Sequence, residues 1–312
     1  MKKSNVIRQI VLPLVAAIIW GTAFVFQSDS AEYIEPFTFN ALRSAVAVIF
    51  LALVLLGRRL LIDKGQRAPQ AKQEKKALLL AGLLCGTVLT VAANLQQLGL
   101  GETSPGKAAF ITALYVVLVP VAGRILFRIK QGSTIWISVV IAVIGLYFLC
   151  INGAESIAIS DVYVVLCALA FTAHIMIVDR LGARVDGIEL SLVQFAVVTL
   201  WSSLGAALTE TPSLDAILSC TGSILFVGVL SSGVAYTLQI LSQKGSNPTV
   251  VSLILSLESV FATMATVLML GQWMSGRETL GSVLMLVAVV LAQLPSSFWT
   301  HLIPQHRRHS EK

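Results

Sequence analysis

The feature that most restricts this chain is a succession of ten apolar runs, each close to the length of a membrane-crossing helix. A bilayer core of roughly 30 Å needs about 20 apolar residues in a helix rising 1.5 Å per residue. The runs lie at about 10–28, 36–56, 77–98, 105–127, 134–152, 160–178, 187–208, 221–242, 248–270 and 279–297. The first follows Lys2, Lys3 and Arg8 and has the look of a secretion signal, but nine further runs of the same kind argue that it stays as a span. The expected fold is an all-α polytopic membrane protein with ten transmembrane helices. Composition agrees. Of 312 residues 56% are apolar and 12% charged, whereas a soluble domain needs about 25% charged to cover its surface.

The net charge of +6 does not point to nucleic acid, because the basic residues fall in short gaps between apolar runs rather than on a folded basic face with stacking aromatics. They report topology instead, since cytoplasmic loops retain lysine and arginine. With the N-terminus inside, only Lys107 and Arg277 of the 22 basic residues fall on the outer side, and Arg43 lies within a span. Both termini are therefore expected in the cytoplasm. The basic loop at 57–76 reads as an orientation signal beside anionic headgroups, and the tail His306-Arg307-Arg308-His309 as a solvated end. Cys85, Cys150, Cys167 and Cys220 have no metal-ligand spacing, so neither a metal, a cofactor nor a disulfide framework is expected.

Shifted on itself by 143 residues, the chain matches its third span to its eighth. Val91/Val234, Ala92/Ala235, Leu95/Leu238, Gln96/Gln239, Leu98/Leu241 and Pro105/Pro248 are identical. Apolar composition explains the aliphatic matches but not the paired glutamine and proline. The reading is two five-helix repeats, 1–155 and 156–312. An odd number of spans in each inverts the second relative to the first. That geometry suits alternating access around a site near mid-membrane.

The run Thr103-Ser104-Pro105-Gly106-Lys107-Ala108-Ala109-Phe110-Ile111-Thr112-Ala113-Leu114-Tyr115-Val116-Val117-Leu118-Val119-Pro120 resembles the fourth span of EamA-type members of the drug/metabolite transporter superfamily. Trp20-Gly21-Thr22-Ala23-Phe24, Asn40-Ala41-Leu42-Arg43 and Leu255-Ser256-Leu257-Glu258 are similar to its first, second and ninth spans. The resemblance implies a carrier of the bacterial inner membrane, commonly an exporter of small metabolites or amphipathic drugs, with a central cavity lined from both halves. Two positions depart from the family pattern: Ser259 stands where a proline is usual, and Gln272 where a glutamate closes the ninth span.

Charges deep in a span cost about 2.5–3.5 kcal/mol on insertion scales, so each is a functional candidate. Glu258 stands near the middle of the ninth span, and the repeat places Tyr115 at the same depth in the other half. An acid and a phenol facing one cavity suit Glu258 to bind a substrate amine or carry a coupling proton. The plainer alternative is a carboxyl bonded to a neighbouring helix. His174 is a candidate proton relay or a helix-helix hydrogen bonder. Arg43 is a candidate carboxylate anchor or a snorkelled structural arginine. Gln96 and Gln239 fall at opposite gates, and with Asn94 and Gln97 either line them or pack the halves together. Trp20, Phe24, Tyr115 and Tyr236 offer walls for a flat substrate. Gly82 and Gly86 form one Gly-x-x-x-Gly, within the bundle or between subunits.

No phosphate loop is present, so secondary transport of a small molecule, with possible proton coupling, is the expected function. An intramembrane enzyme or a channel is the alternative, but no nucleophile-base set or metal motif supports the enzyme. A monomer or a homodimer both fit.

Overall fold

The computed structural model describes residues 7–61, 72–102, 105–151, 158–271 and 273–294, and every regular element among them is helical. Residues 62–71 of the loop at 57–76, Gln272 and the tail lie outside the described residues. Ten spanning helices follow one another. The first five are α1 (Leu12–Ala31, entered through a wide π turn at Ile7–Val11), α2 (Pro36–Leu61), α3 (Lys72–Leu100), α4 (split into α4a, Pro105–Ala113, and α4b, Tyr115–Phe127) and α5 (Ser133–Cys150). The second five are α6 (Ile159–Leu181), α7 (Gly187–Thr209), α8 (Thr221–Gln243), α9 (split into α9a, Pro248–Leu255, and α9b, Glu258–Leu270) and α10 (Gly276–Gln293). Among the described residues nine are long and apolar enough to cross a membrane, and α5 contributes a shorter apolar helix, Ser133–Leu149.

Two expectations are corrected. The fourth and ninth spans are not continuous, and the tenth starts and stops about one turn earlier than 279–297, at Gly276 and Gln293. The early start has a local cause. Ser275 accepts from the Glu278 N–H while the Glu278 carboxylate accepts from the Ser275 N–H, a reciprocal cap that satisfies two otherwise orphaned donors.

The molecule exposes large apolar side chains and buries polar ones among its apolar clusters. Leu61, Leu208 and Leu268 are 77%, 76% and 81% exposed, while Ser44, His174, Gln194 and Ser232 are fully buried. Between apolar helices in lipid, close packing and hydrogen bonds take over the role that hydrophobic burial plays in water. Glycine supplies the close packing. A Cβ on Gly82 would lie 2.3 Å from Val193 Cγ1, and one on Gly86 2.6 Å from the Gln194 carbonyl, so the Gly-x-x-x-Gly of α3 is an internal seam with α7. Gly145 and Gly281 bring α5 and α10 together, a Cβ on Gly281 falling 2.5 Å from the Leu149 N.

Helices α2 and α7, one from each repeat, are tied at both ends. At one end Arg58 Nη1 pairs with Asp186 at 3.0 Å and Nη2 with Glu189 at 3.8 Å. At the other, the Glu210 carboxylate accepts from the Phe37 N–H at 2.8 Å, the Thr38 N–H at 2.7 Å and Thr38 Oγ1 at 2.7 Å. It thereby caps the start of α2 from another repeat. Glu210→Ala strands those donors and is expected to cost about 1–2 kcal/mol, read as a lower thermal midpoint in detergent. Glu210→Gln, which keeps one acceptor oxygen, is expected to lose less.

Candidate functional site

The two broken helices carry the site. In α4 the break falls at Leu114, in α9 at Ser256 and Leu257. Neither break holds a proline, and the one inside α4b, Pro120, lies beyond it. Tyr115 and Glu258 are therefore the first residues of the second pieces, and Tyr115 Oη donates to Glu258 Oε1 at 3.0 Å across a sequence separation of 143 residues. The same offset governs the rest of these helices. Both start at a proline, Pro105 and Pro248, and both end in a left-handed residue, Arg128 at φ 54° and Gly271 at φ 68°. Glycine adopts that conformation freely and arginine at a cost, so the shared backbone outlasts the change of residue. Ser259, in the place of the proline, is the second residue after the break and does not abolish it.

Tyr115 and Glu258 form one wall of a cavity of about 30 Å³ between the repeats, room for one or two waters. Anything larger needs the walls to part. Six of the other candidate residues, Trp20, Phe24, Arg43, Gln96, Tyr236 and Gln239, also line it. Gln96 and Gln239 thus share one cavity instead of standing at separate gates. Trp20 meets the Tyr236 ring edge-on at 4.7 Å between centroids. Phe24 and Phe171 add further aromatic surface.

Arg43 is 4% exposed, so it does not snorkel to an interface. A chain of amides aims it. Asn94 Nδ2 donates to the Thr90 carbonyl at 2.8 Å and to Ser202 Oγ at 3.1 Å, which leaves Asn94 Oδ1 to accept from Asn40 Nδ2 at 3.0 Å. Asn40 Oδ1 then accepts from Arg43 Nε at 2.6 Å, and Gln27 Oε1 from Arg43 Nη1 at 3.4 Å. Each bond fixes which end of the next amide points onward, so the guanidinium is held rather than free to swing. Among the described residues neither Arg43 nor Glu258 has an ion-pair partner. Trp20 Nε1 and Gln239 Oε1 have no hydrogen-bond partner there either.

His174 does not line the cavity. It is fully buried, with Nε2 3.1 Å from Gln194 Oε1 and its ring 6.0 Å from Tyr236. Sequence reasoning missed Gln27, Thr112 and Ser231, which do line it. Gln27 had a signal, the three-residue step from Phe24 that puts both on one helix face. Thr112 had one too, because the repeat offset pairs it with Leu255, another lining residue. Ser231 lies in the π stretch Val227–Ala235, where ordinary helical spacing fails.

A model of the EamA-like transporter family matches the chain twice, over residues 7–151 and 158–294. An uncharacterized transporter from Archaeoglobus fulgidus is 26% identical over 278 residues, 89% of this chain and 83% of that protein. Another from Methanothermobacter thermautotrophicus is 22% identical over 295 residues, 89% of this chain and 84% of its own. A solved crystal structure with 16% identity covers 97% of this chain and 99% of its own, with a TM-score of 0.75; it speaks to the fold alone. Two family matches in tandem, on ten helices whose broken members share one offset, leave one assignment: the chain is a multi-pass membrane protein of the EamA-like transporter family.

Proposed function

We propose that the protein is a secondary carrier that exports a small amphipathic molecule, a metabolite, amino acid or drug, across a bacterial inner membrane by alternating access. Both termini face the cytoplasm, and the working unit is a monomer or homodimer. The observation that carries this reading is a cavity between two repeats that holds a guanidinium and a carboxyl without ion-pair partners among the described residues. A buried charge left alone is costly, and a ligand with an acid and an amine would satisfy both, its apolar body against Trp20, Phe24 and Tyr236. Trp20 Nε1 and Gln239 Oε1 supply one further donor and acceptor. Glu258 exchanges the substrate amine with a coupling proton.

Uptake into proteoliposomes of labelled phenylalanine, a zwitterion, and phenethylamine, which lacks the acid, tests the proposal. Saturable uptake accelerated by unlabelled compound inside the vesicle is expected, because a carrier returns faster when loaded. Uptake without that acceleration would indicate a channel, a chemically altered product an enzyme, and no uptake of either compound would remove this substrate class. A screen of toxic analogues in cells lacking and overproducing the protein then reads the direction of movement.

A further inference from the structure

Three sets of contacts relate the repeats. A Cβ on Gly86 of α3 would lie 2.6 Å from both the Gln194 carbonyl and Val197 Cβ, while one on Gly228 of α8 would lie 2.8 Å from the Arg43 carbonyl and 2.7 Å from Val46 Cβ. Asn40 bonds Asn94 at 3.0 Å, and Thr237 Oγ1 donates to Ser191 Oγ at 2.8 Å. Arg43 bonds Gln27 at 3.4 Å, and Gln194 bonds His174 at 3.1 Å. The steps agree throughout: Asn40, Arg43 and Val46 are spaced along α2 as Ser191, Gln194 and Val197 are along α7. Phe24 precedes Gln27 by the same interval as Phe171 precedes His174. Gln194 is therefore the structural mate of Arg43, and His174 that of Gln27.

Only one of these corners opens on the cavity, and the matched residues beside the two corners, Ala93 and Tyr236, differ in size. Ala93, just before Asn94, stands beside the Arg43 corner, where its carbonyl accepts from Asn40 Nδ2. Its mate Tyr236, just before Thr237, places a phenol ring between the cavity and His174. Behind that ring His174 Nδ1 and Gln194 Nε2 are buried with no partner among the described residues. Buried polar atoms left without partners call for an explanation. In carriers built from inverted repeats one bundle rocks against the other as access alternates, a motion that shifts the side chains lining the cavity. We infer that His174 and Gln194 form a second binding station for the acid end of the substrate, covered here by Tyr236 and uncovered when the cavity opens toward the end of the bundle that carries Arg58 and Asp186. This rests on the carrier reading above, and adds a place where the ligand is held after leaving Arg43.

The test uses the full chain with its four cysteines replaced and one returned, as His174→Cys, Gln194→Cys or, as a cavity reporter, Ser231→Cys. Proteoliposomes receive a membrane-impermeant thiol reagent on one face at a time, with and without saturating phenylalanine or phenethylamine. The expected result is reaction at 174 and 194 from the face that carries Arg58 and slower reaction with phenylalanine, to the extent seen at 231. Adding Tyr236→Ala to His174→Cys should speed its reaction by about tenfold, since the covered form no longer dominates. No reaction at 174 and 194 while 231 reacts, or reaction that phenylalanine slows at 231 alone, would overturn the second station and leave the carrier standing. Absence of protection at all three positions by either compound would overturn both.

Discussion

Glu258→Gln is expected to abolish transport while the protein still inserts and folds. The amide has the shape of the acid, and its carbonyl can accept from Tyr115 Oη as the carboxyl does at 3.0 Å. What it loses is the capacity to take a charge or a proton. Removing the charge that would meet the substrate amine in a buried, hydrogen-bonded pair costs about 2–5 kcal/mol, and at 1.4 kcal/mol per tenfold the loss of flux is about 30-fold to a few thousand-fold. Tyr115→Phe keeps the acid and removes one hydrogen bond, about 1 kcal/mol, so its loss should be roughly tenfold or less. Initial rates of phenylalanine counterflow measure both, with size-exclusion profiles in detergent as the check on folding. Normal flux by the Glu258→Gln protein would take that residue out of the mechanism.

Gly21→Val is expected to remove stability and transport together. Helix α1 lies so close to α9b that a Cβ at Gly21 would fall 2.5 Å from Phe261 Cβ, 2.7 Å from the Ala262 N and 2.7 Å from the Glu258 carbonyl. Two of those neighbours are backbone and cannot rotate away. The helices must part, and Glu258 moves with its carbonyl. Overpacking of this kind costs about 1–3 kcal/mol, occasionally more, visible as a thermal midpoint several degrees lower. Gly57→Ala is the contrast. Nothing lies within 4 Å of a Cβ there, and alanine in a helix interior gains about 0.5–1 kcal/mol over glycine, so that variant should transport normally and melt no lower. Equal losses in both variants would mean that the contact with α9b is not the cause.

The pairing of Tyr115 with Glu258 was legible in the sequence because the halves kept one offset through α3, α4, α8 and α9, with a glutamine and a proline to anchor it. Depth followed from helical rise. The breaks at Leu114 and at Ser256 and Leu257 were not legible, because hydropathy runs through them without interruption and no proline marks them. The kinship of Arg43 with Gln194 was equally hidden. One is charged and the other is not, and the helices that carry them match too weakly in sequence to align. The likeness survives in what they touch, a glycine of the facing helix and a partner amide or imidazole, and such contacts are properties of three dimensions. Burial of Arg43 was hidden for a similar reason: its distance from the helix end suits snorkelling, and only the amides of Asn40 and Gln27 reveal that it turns inward.

The stretch of wide turns in α8 bears on how two halves of unequal length can share one cavity. Between Gly228 and Thr237 there is one residue more than between their mates Gly86 and Asn94. In an ordinary α-helix an added residue swings everything downstream by about 100°, which would carry Tyr236 and Gln239 off toward lipid. The π turns over Val227–Ala235 absorb the surplus locally, as a slack loop in a rope takes up length without twisting the rest. An added residue is thus tolerated here, and the aim of the downstream side chains is kept.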